Sequence, residues 1–505
     1  MRWLRALVPL LGSAVAAFAA MADQPAASTS QPEHLRIGGL DLIRCEIGAM
    51  QKMGIPNAVA FCTKFDVPEN WDEPSGRHIA LRVAVVRARA TTPDPDIVAF
   101  LDGGPGQAAT EDYPQVAGAL AGVRRRHHLL LVDQRGTGGS NPLRCPEEDA
   151  PDSSAMRAAP GPEQMLAQAR RCLASLAPVA RVEFYATTDA VRDLEAVRLA
   201  LGGPQLDLIG VSYGTRLAQQ YAMRHPAAVR SIVLDSPVPN RLALLSEHAA
   251  SLEEAVRSSF AQCPRQPGCA EHFGDPYRSL YELRDRLRRD APWVEMRDPQ
   301  SDAPQRHRLG PGDLARLVRL YSYSPLTRAL LPYLIDQAKQ GRYAPLLANA
   351  RLLLDDLTER MSPVLSASVV CTEDADLLHE NPGDASTLLG TEFTTWARVT
   401  CPVWPHRGRP ADFHEPLRGT VPLLVFSGEF DPVTPARYGA EIVRELSRAR
   451  HFVLAGQGHA VLATGCVPRL LSDFVDRPEP ARIDADCLKE LGPVPFFLDA
   501  SGAAP

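Results

Sequence analysis

The chain has 505 residues, of which 45% are hydrophobic and 23% charged, and a net charge of −6 at neutral pH. Such a chain buries a large core, as one large domain with an insertion or as two to three domains. The acidic balance and the lack of a long basic run exclude a nucleic-acid partner and leave small molecules, peptides and lipids open.

The chain begins "MRWLRALVPLLGSAVAAFAAMADQ": two arginines, an apolar run from Ala6 to about Ala20, then the small-residue triplet Ala20-Met21-Ala22. This predicts a secretory signal peptide over residues 1–22, cut before Asp23, since the run is too short and wrongly flanked for a stop-transfer helix. No cysteine stands near the cut for a lipid anchor, and no later stretch has the length and apolarity of a membrane span. The expected location is periplasmic or extracellular, with no stable membrane insertion after cleavage.

After a polar segment to Glu33, the first clear strand is "HIALRVAVVRA" (78–88), followed by "DIVAFLDGGPG" (96–106), "HHLLLVDQRGTGGS" (127–140), "LDLIGVS" (206–212) and "RSIVLDSP" (230–237). "VPLLVFSGEFD" (421–431) and "HFVLAGQGH" (451–459) complete the set. Most are continuous apolar runs ending in Gly, Asp or Ser. A parallel sheet covered on both faces reads this way, with functional loops at the carboxyl ends of its strands. Helical patterns such as "DAVRDLEAVRLAL" (189–201) intervene, so the fold class is α/β with a doubly wound, mostly parallel sheet. Between about Asn240 and Gly419 the strand rhythm stops and amphipathic helical patterns take over, which predicts a helical cap inserted into the core. The division is a signal peptide (1–22), a first core part (23–239), the cap (240–419) and a second core part (420–505).

At 210–214, where a strand gives way to a helical pattern, stands Gly210-Val211-Ser212-Tyr213-Gly214. A serine on a tight strand-to-helix turn between glycines is the arrangement of an exposed nucleophile. Its hydroxyl needs an imidazole to take the proton and a carboxylate to hold that imidazole. Asp431, ending a strand at "DPVTP", and His459, in "AGQGHA", follow in the chain order of this chemistry. Taken alone, Asp431 would read as a turn aspartate before Pro432 and His459 as a loop histidine; jointly they complete a triad with Ser212. Two N–H donors must face the oxyanion. One is that of Tyr213; the other comes from "DGGPG" (102–106), with Gly104 preferred over Gly103. "DQRGTGGS" (133–140) lacks the lysine of a phosphate cradle and reads as a structural loop beside the site.

The ten cysteines, an even number with no Cys-x-x-Cys pair, favour disulfides over a metal site, and no metal or cofactor is expected. The simplest pairing joins chain neighbours: Cys45 with Cys62, Cys145 with Cys172, Cys263 with Cys269, Cys371 with Cys401, and Cys466 with Cys487. Spacing alone leaves other connectivities open.

"GGPG", "DQRGTGGS", "GVSYGT", "SGEFDPVTP" and "GQGHA", in this order, resemble the proline iminopeptidase and tripeptidyl aminopeptidase branch of the α/β-hydrolases. The cysteine-rich form and the segment carrying Asp431, His459, Cys466 and Cys487 are more similar to the tripeptidyl side. The chain departs at Asp102, where a histidine often precedes the glycines. The resemblance implies a secreted serine exopeptidase acting near a free N-terminus, with Ser212, Asp431 and His459 as its triad. It also implies a carboxylate for the substrate ammonium, for which Glu373 in "CTEDAD" is the candidate, against the alternative of a solvated acidic loop. The substrate is then a peptide. A carboxylesterase acting on small esters with the same triad is the alternative, and a non-catalytic binding protein on this fold is the third reading.

Overall fold

We describe the protein from a computed structural model over residues 33–49, 54–146, 160–297, 302–347 and 360–503. The signal-peptide reading at 1–22 lies outside these residues. Ten strands form one sheet in the order β1-β2-β3-β4-β6-β5-β7-β8-β11-β12. They are β1 (His34–Ile37), β2 (Leu40–Ile47), β3 (Ala58–Pro68), β4 (His78–Val86), β5 (Ile97–Leu101), β6 (His128–Val132), β7 (Leu206–Val211), β8 (Val229–Asp235), β11 (Leu423–Gly428) and β12 (Ala449–Leu454). From β6 to β12 every pairing is parallel. The pairings β1/β2, β2/β3, β3/β4 and β4/β6 are antiparallel.

The parallel strands are those whose sequences are continuous apolar runs, and the reason is their surroundings. All residues of β5 and β11 are buried, and nearly all of β7 and β8. Because side chains alternate across the pleat, Leu208 and Ile232 pack with Leu217 and Tyr221 on one face. Ile209 and Val233 pack with Phe426, Leu470 and Phe474 on the other. The strands β1 to β3 precede the first strand expected from sequence. Their residues mix exposed and buried positions, and β2 carries Asp41, Arg44 and Glu46 among its apolar residues, so no continuous apolar run marks them.

Between β8 and β11 the chain forms helices, including His248–Phe260, Pro276–Arg289, Pro311–Ser322, Pro363–Glu373 and Glu392–Thr400. It also forms an antiparallel pair outside the helical expectation, β9 (Trp293–Arg297) with β10 (Pro304–Arg308). The five-residue strands are charged and largely exposed, which hides them from a search for apolar periodicity. This stretch has its own apolar cluster, with Leu252, Leu280, Leu314, Val318 and Leu334, which Phe496 of the C-terminal segment joins. Gln266 fixes that segment, accepting from Phe496 N at 2.6 Å and donating to Phe496 O at 2.7 Å.

Five disulfides join Cys45–Cys62, Cys145–Cys172, Cys263–Cys269, Cys371–Cys401 and Cys466–Cys487, the neighbour pairing, and leave no free cysteine. Among the described residues no helix is long and apolar enough to cross a membrane.

Candidate active site

Ser212 stands between the end of β7 and the helix Tyr213–Arg224, with φ 54° and ψ −122°. A β-carbon-bearing residue avoids this region unless its surroundings enforce it. Here the enforcement is local: Ser212 N donates to Asp235 O at 2.9 Å, and Ser212 O accepts from Thr215 N at 3.0 Å. A β-carbon on Gly214 would lie 2.1 Å from the carbonyl oxygen of Leu101, so the helix can start this close to β5 only with glycine there.

Asp431 and His459 meet. The Nδ1 of His459 lies 2.8 Å and 3.0 Å from the two carboxylate oxygens of Asp431, and the side chains are 8% and 0% exposed. Asp431 also accepts from Val433 N and Thr434 N at 2.9 Å and 2.8 Å and from Thr434 Oγ1 at 2.9 Å. It is thus a turn aspartate before Pro432 as well as the partner of the histidine. With Nδ1 donating to the carboxylate, Nε2 is left as the acceptor. Burial pushes the imidazole toward its neutral form, but the Asp431 carboxylate outweighs it and raises the His459 pKa above its ordinary value.

The histidine loop is held from two sides. His459 N donates to Tyr323 O at 2.9 Å, and the Tyr323 ring stands edge-on to the imidazole with centroids 5.1 Å apart. The other support escaped the sequence reading. At the end of β8, the Asp235 carboxylate accepts from Val461 N at 2.9 Å and 2.8 Å and from Leu462 N at 2.9 Å, while Ser236 Oγ accepts from Ala460 N at 2.9 Å. Asp235 therefore touches both loops, the serine turn through its carbonyl and the histidine loop through its carboxylate. Burial raises its pKa to about 6 against the opposing N–H bonds. The only sequence signal was an acid at a strand's carboxyl end, in "VLDSP".

The glycine loop after β5 lies against the serine, since a β-carbon on Gly103 would be 3.2 Å from that of Ser212. Gly103 N donates to Asp102 Oδ1 at 2.8 Å, which occupies that donor, and Gly104 lines the cavity beside Ser212 and Tyr213. In "DQRGTGGS", Asp133 accepts from Thr110 and Gly139, buried Arg135 forks onto Asp193 at 2.7 Å and 2.6 Å, and Gln134 donates to Tyr213 Oη at 3.2 Å. Its charged groups are thus occupied inside the fold.

The cavity has a volume of about 420 Å³ and lies between the loops of the sheet (Gly104, Ser212, Thr434) and the stretch after β8 (Leu244, Phe393, Trp396). Most of its wall is apolar. Glu373 is not on it. That carboxylate is 1% exposed, accepts from Thr187 N at 2.6 Å and lies 3.4 Å from Arg216 Nη1, which also binds Asp374 at 2.8 Å. Burial raises the Glu373 pKa to about 7, with Arg216 opposing and Asp374 adding to the rise. The expected role of Glu373 as ammonium anchor does not fit this placement; among the described residues the carboxylates that line the cavity are Glu247 and Glu392. Of the rest of that acidic run, Asp376 is exposed and forks onto Arg409 at 2.7 Å and 2.9 Å. Among the described residues one cluster, Asp94, Asp96 and His127, has metal-site spacing. It lies at the amino end of β5, away from the cavity, and Arg126 and Arg230 already pair with its carboxylates.

A family profile for the alpha/beta hydrolase fold matches residues 96–465. The chain is 27% identical over 459 residues to the serine protease Hip1 of Mycobacterium tuberculosis, covering 82% of this chain and 85% of that one. It is 25% identical over 447 residues to the tripeptidyl aminopeptidase of Streptomyces lividans, covering 82% and 80%. A crystal structure of proline iminopeptidase from Mycobacterium smegmatis superposes with a TM-score of 0.39 at 17% identity, over 83% of this chain and 99% of that one. By its matched residues and its sheet, this chain belongs to the alpha/beta hydrolase fold family.

Proposed function

We propose that the protein is an exported serine aminopeptidase that cleaves short peptides near a free N-terminus through Ser212, His459 and Asp431. The observation that carries this reading is the buried Asp431–His459 pair, tied through Asp235 to the strained turn on which Ser212 borders the cavity. Ser212 Oγ attacks the scissile carbonyl carbon while its proton passes to His459 Nε2. Asp431 holds the resulting imidazolium, and the oxyanion takes N–H bonds from Tyr213 and Gly104, each worth about 3 kcal/mol in such sites. The carbon–nitrogen bond then breaks, the departing amine takes the proton from Nε2, and water hydrolyses the acyl-enzyme with the histidine as base.

Several observations support the finer reading. The relatives are a serine protease and a tripeptidyl aminopeptidase. The cavity has the size of a small-ligand pocket, fit for a short peptide end rather than a folded chain. Glu247 and Glu392, which Arg437 and Arg316 hold at the cavity wall, are the carboxylates an ammonium group would share in place of Glu373. Five disulfides suit an oxidising compartment, and the stretch between β8 and β11 supplies cavity-wall residues such as Leu244, Phe393 and Trp396, as a substrate-selecting cap would.

The test pairs labelling with substrate choice. A fluorophosphonate should label one peptide, that containing Ser212, and Ser212→Ala should abolish labelling and nearly all turnover. Free-amine aminoacyl substrates should be cleaved at least tenfold faster in kcat/KM than their N-acetylated counterparts. Labelling that persists in Ser212→Ala rejects the nucleophile, and preference for the acetylated ester makes the protein a carboxylesterase.

A further inference from the structure

Among the described residues the cavity wall carries three charged side chains, and two of them are matched. Glu247 accepts from Arg437 at 3.1 Å and from the Tyr438 hydroxyl at 2.7 Å, and Glu392 lies 3.4 Å from Arg316. The third is Arg319, on the helix Pro311–Ser322. Its Nε is buried without a hydrogen-bond partner, and among the described residues no carboxylate pairs with it. What it touches is aromatic: its guanidinium lies 4.9 Å from the Phe393 centroid and 5.8 Å from that of Tyr323. On the same Phe393 ring, at 5.1 Å, rests His248, whose Nδ1 is also buried and unpartnered. Burial, Arg319 and His459 together hold His248 well below its ordinary pKa, so it is a neutral imidazole with an N–H to give. Two unsatisfied polar groups from separate helices thus converge around one ring in a mostly apolar wall.

An unpaired guanidinium in such a place is costly unless an anion arrives to meet it, and its planar fork matches a carboxylate. Its position also bears on the chemistry, because the Tyr323 ring contacts both Arg319 and His459. An anion on Arg319 therefore sits in the same cavity that Ser212 borders. We propose that Arg319, assisted by His248, is an anion subsite of the cavity that receives a carboxylate of the substrate. As a statement about substrate it rests on the hydrolase reading above. The carboxylate has two sources, the C-terminus of a short peptide or an acidic side chain.

The experiment separates those sources and does not depend on turnover. Calorimetric titration of the Ser212→Ala protein compares a tri-alanine peptide with its C-terminal amide. It then compares amidated peptides with Glu or Gln at each of the three positions. At least one pair should show the carboxylate form binding at least fivefold more tightly, and the pair that does so identifies the source. Adding Arg319→Gln should bring that ratio to within twofold of parity, whereas Arg319→Lys, which keeps the charge, should retain part of it. The ratio is internal to each variant, so a general loss of binding competence cannot imitate its collapse. A preference below fivefold in every pair, or one that survives Arg319→Gln, overturns the subsite. Turnover of the same peptides by the Ser212 enzyme is scored separately. Failure there rejects the peptidase reading, while the binding ratios still decide the anion site.

Discussion

Asp431 shows how one carboxylate holds a turn and an imidazole together. Its oxygens accept backbone N–H groups from the residues that follow it and also face His459 Nδ1. In Asp431→Asn the amide oxygen would keep the backbone bonds, and its NH2 would face Nδ1, forcing the proton onto Nε2, where a base is needed. The expected loss in kcat is about three to four orders of magnitude with the fold retained. The wild-type kcat/KM should fall as pH drops through an apparent pKa above the ordinary imidazole value, because Asp431 raises that of His459. In the variant this limb should move to lower pH; a pH–rate profile in which it stays in place would remove Asp431 from its assigned role. Ser212, Asp431 and His459 stood out in the sequence as candidates because each stands at a strand end with its own turn signature, and of these the structure pairs Asp431 with His459. Glu373 was misread because an acidic run does not reveal which cation meets it. Arg216, the cation in question, lies 157 positions earlier in the chain.

At the scale of elements, β8 matters more than its neighbours because its end clamps two loops. The histidine loop passes so close to β11 that a β-carbon on Gly428 would fall 1.8 Å from Gly458 O, and Ala460 takes a φ of 62° to leave the strand end. Asp235 stabilises this crossing through three contacts to Val461 and Leu462 N–H groups. In Asp235→Asn the amide oxygen in the place of Oδ2 still accepts from both N–H groups, but its NH2 then stands donor against donor beside Val461 N, and the imidazole loses its fixed position. Steady-state kinetics should show kcat reduced by about ten- to a hundredfold with KM changed less than threefold, the pattern of lost transition-state alignment rather than lost binding. Equal changes in both parameters would make Asp235 a binding or folding residue instead. The parallel elements were readable because burial on both faces demands continuous apolar runs. The strands β1 to β3 and the β9/β10 pair were not, since a half-exposed strand with charges spreads its signal over alternate residues.

Across the whole molecule, the buried cluster of Arg216, Glu373 and Asp374 ties the helix after Ser212 to the walls of the cavity, with Asp374 accepting from Leu244 N at 3.0 Å. Because the Glu373 pKa is raised in the folded protein, the folded state holds its proton more tightly than the unfolded chain does. The resulting stabilisation is complete below the ordinary carboxyl range and is lost as pH rises through about 7. Thermal melts of Glu373→Gln, which cannot titrate, should therefore lose less Tm than wild type between pH 5 and pH 7.5; a variant that loses as much or more would contradict the sign. The cysteine pattern has a consequence for how such a molecule is made. The bridges span 17, 27, 6, 30 and 21 positions, and none encloses or crosses another. A chain delivered N-terminus first into an oxidising space presents each cysteine together with its final partner before the next pair arrives. Oxidation in order of emergence thus yields the native set without reshuffling, and the long insertion adds no thiol that must wait for the final strands.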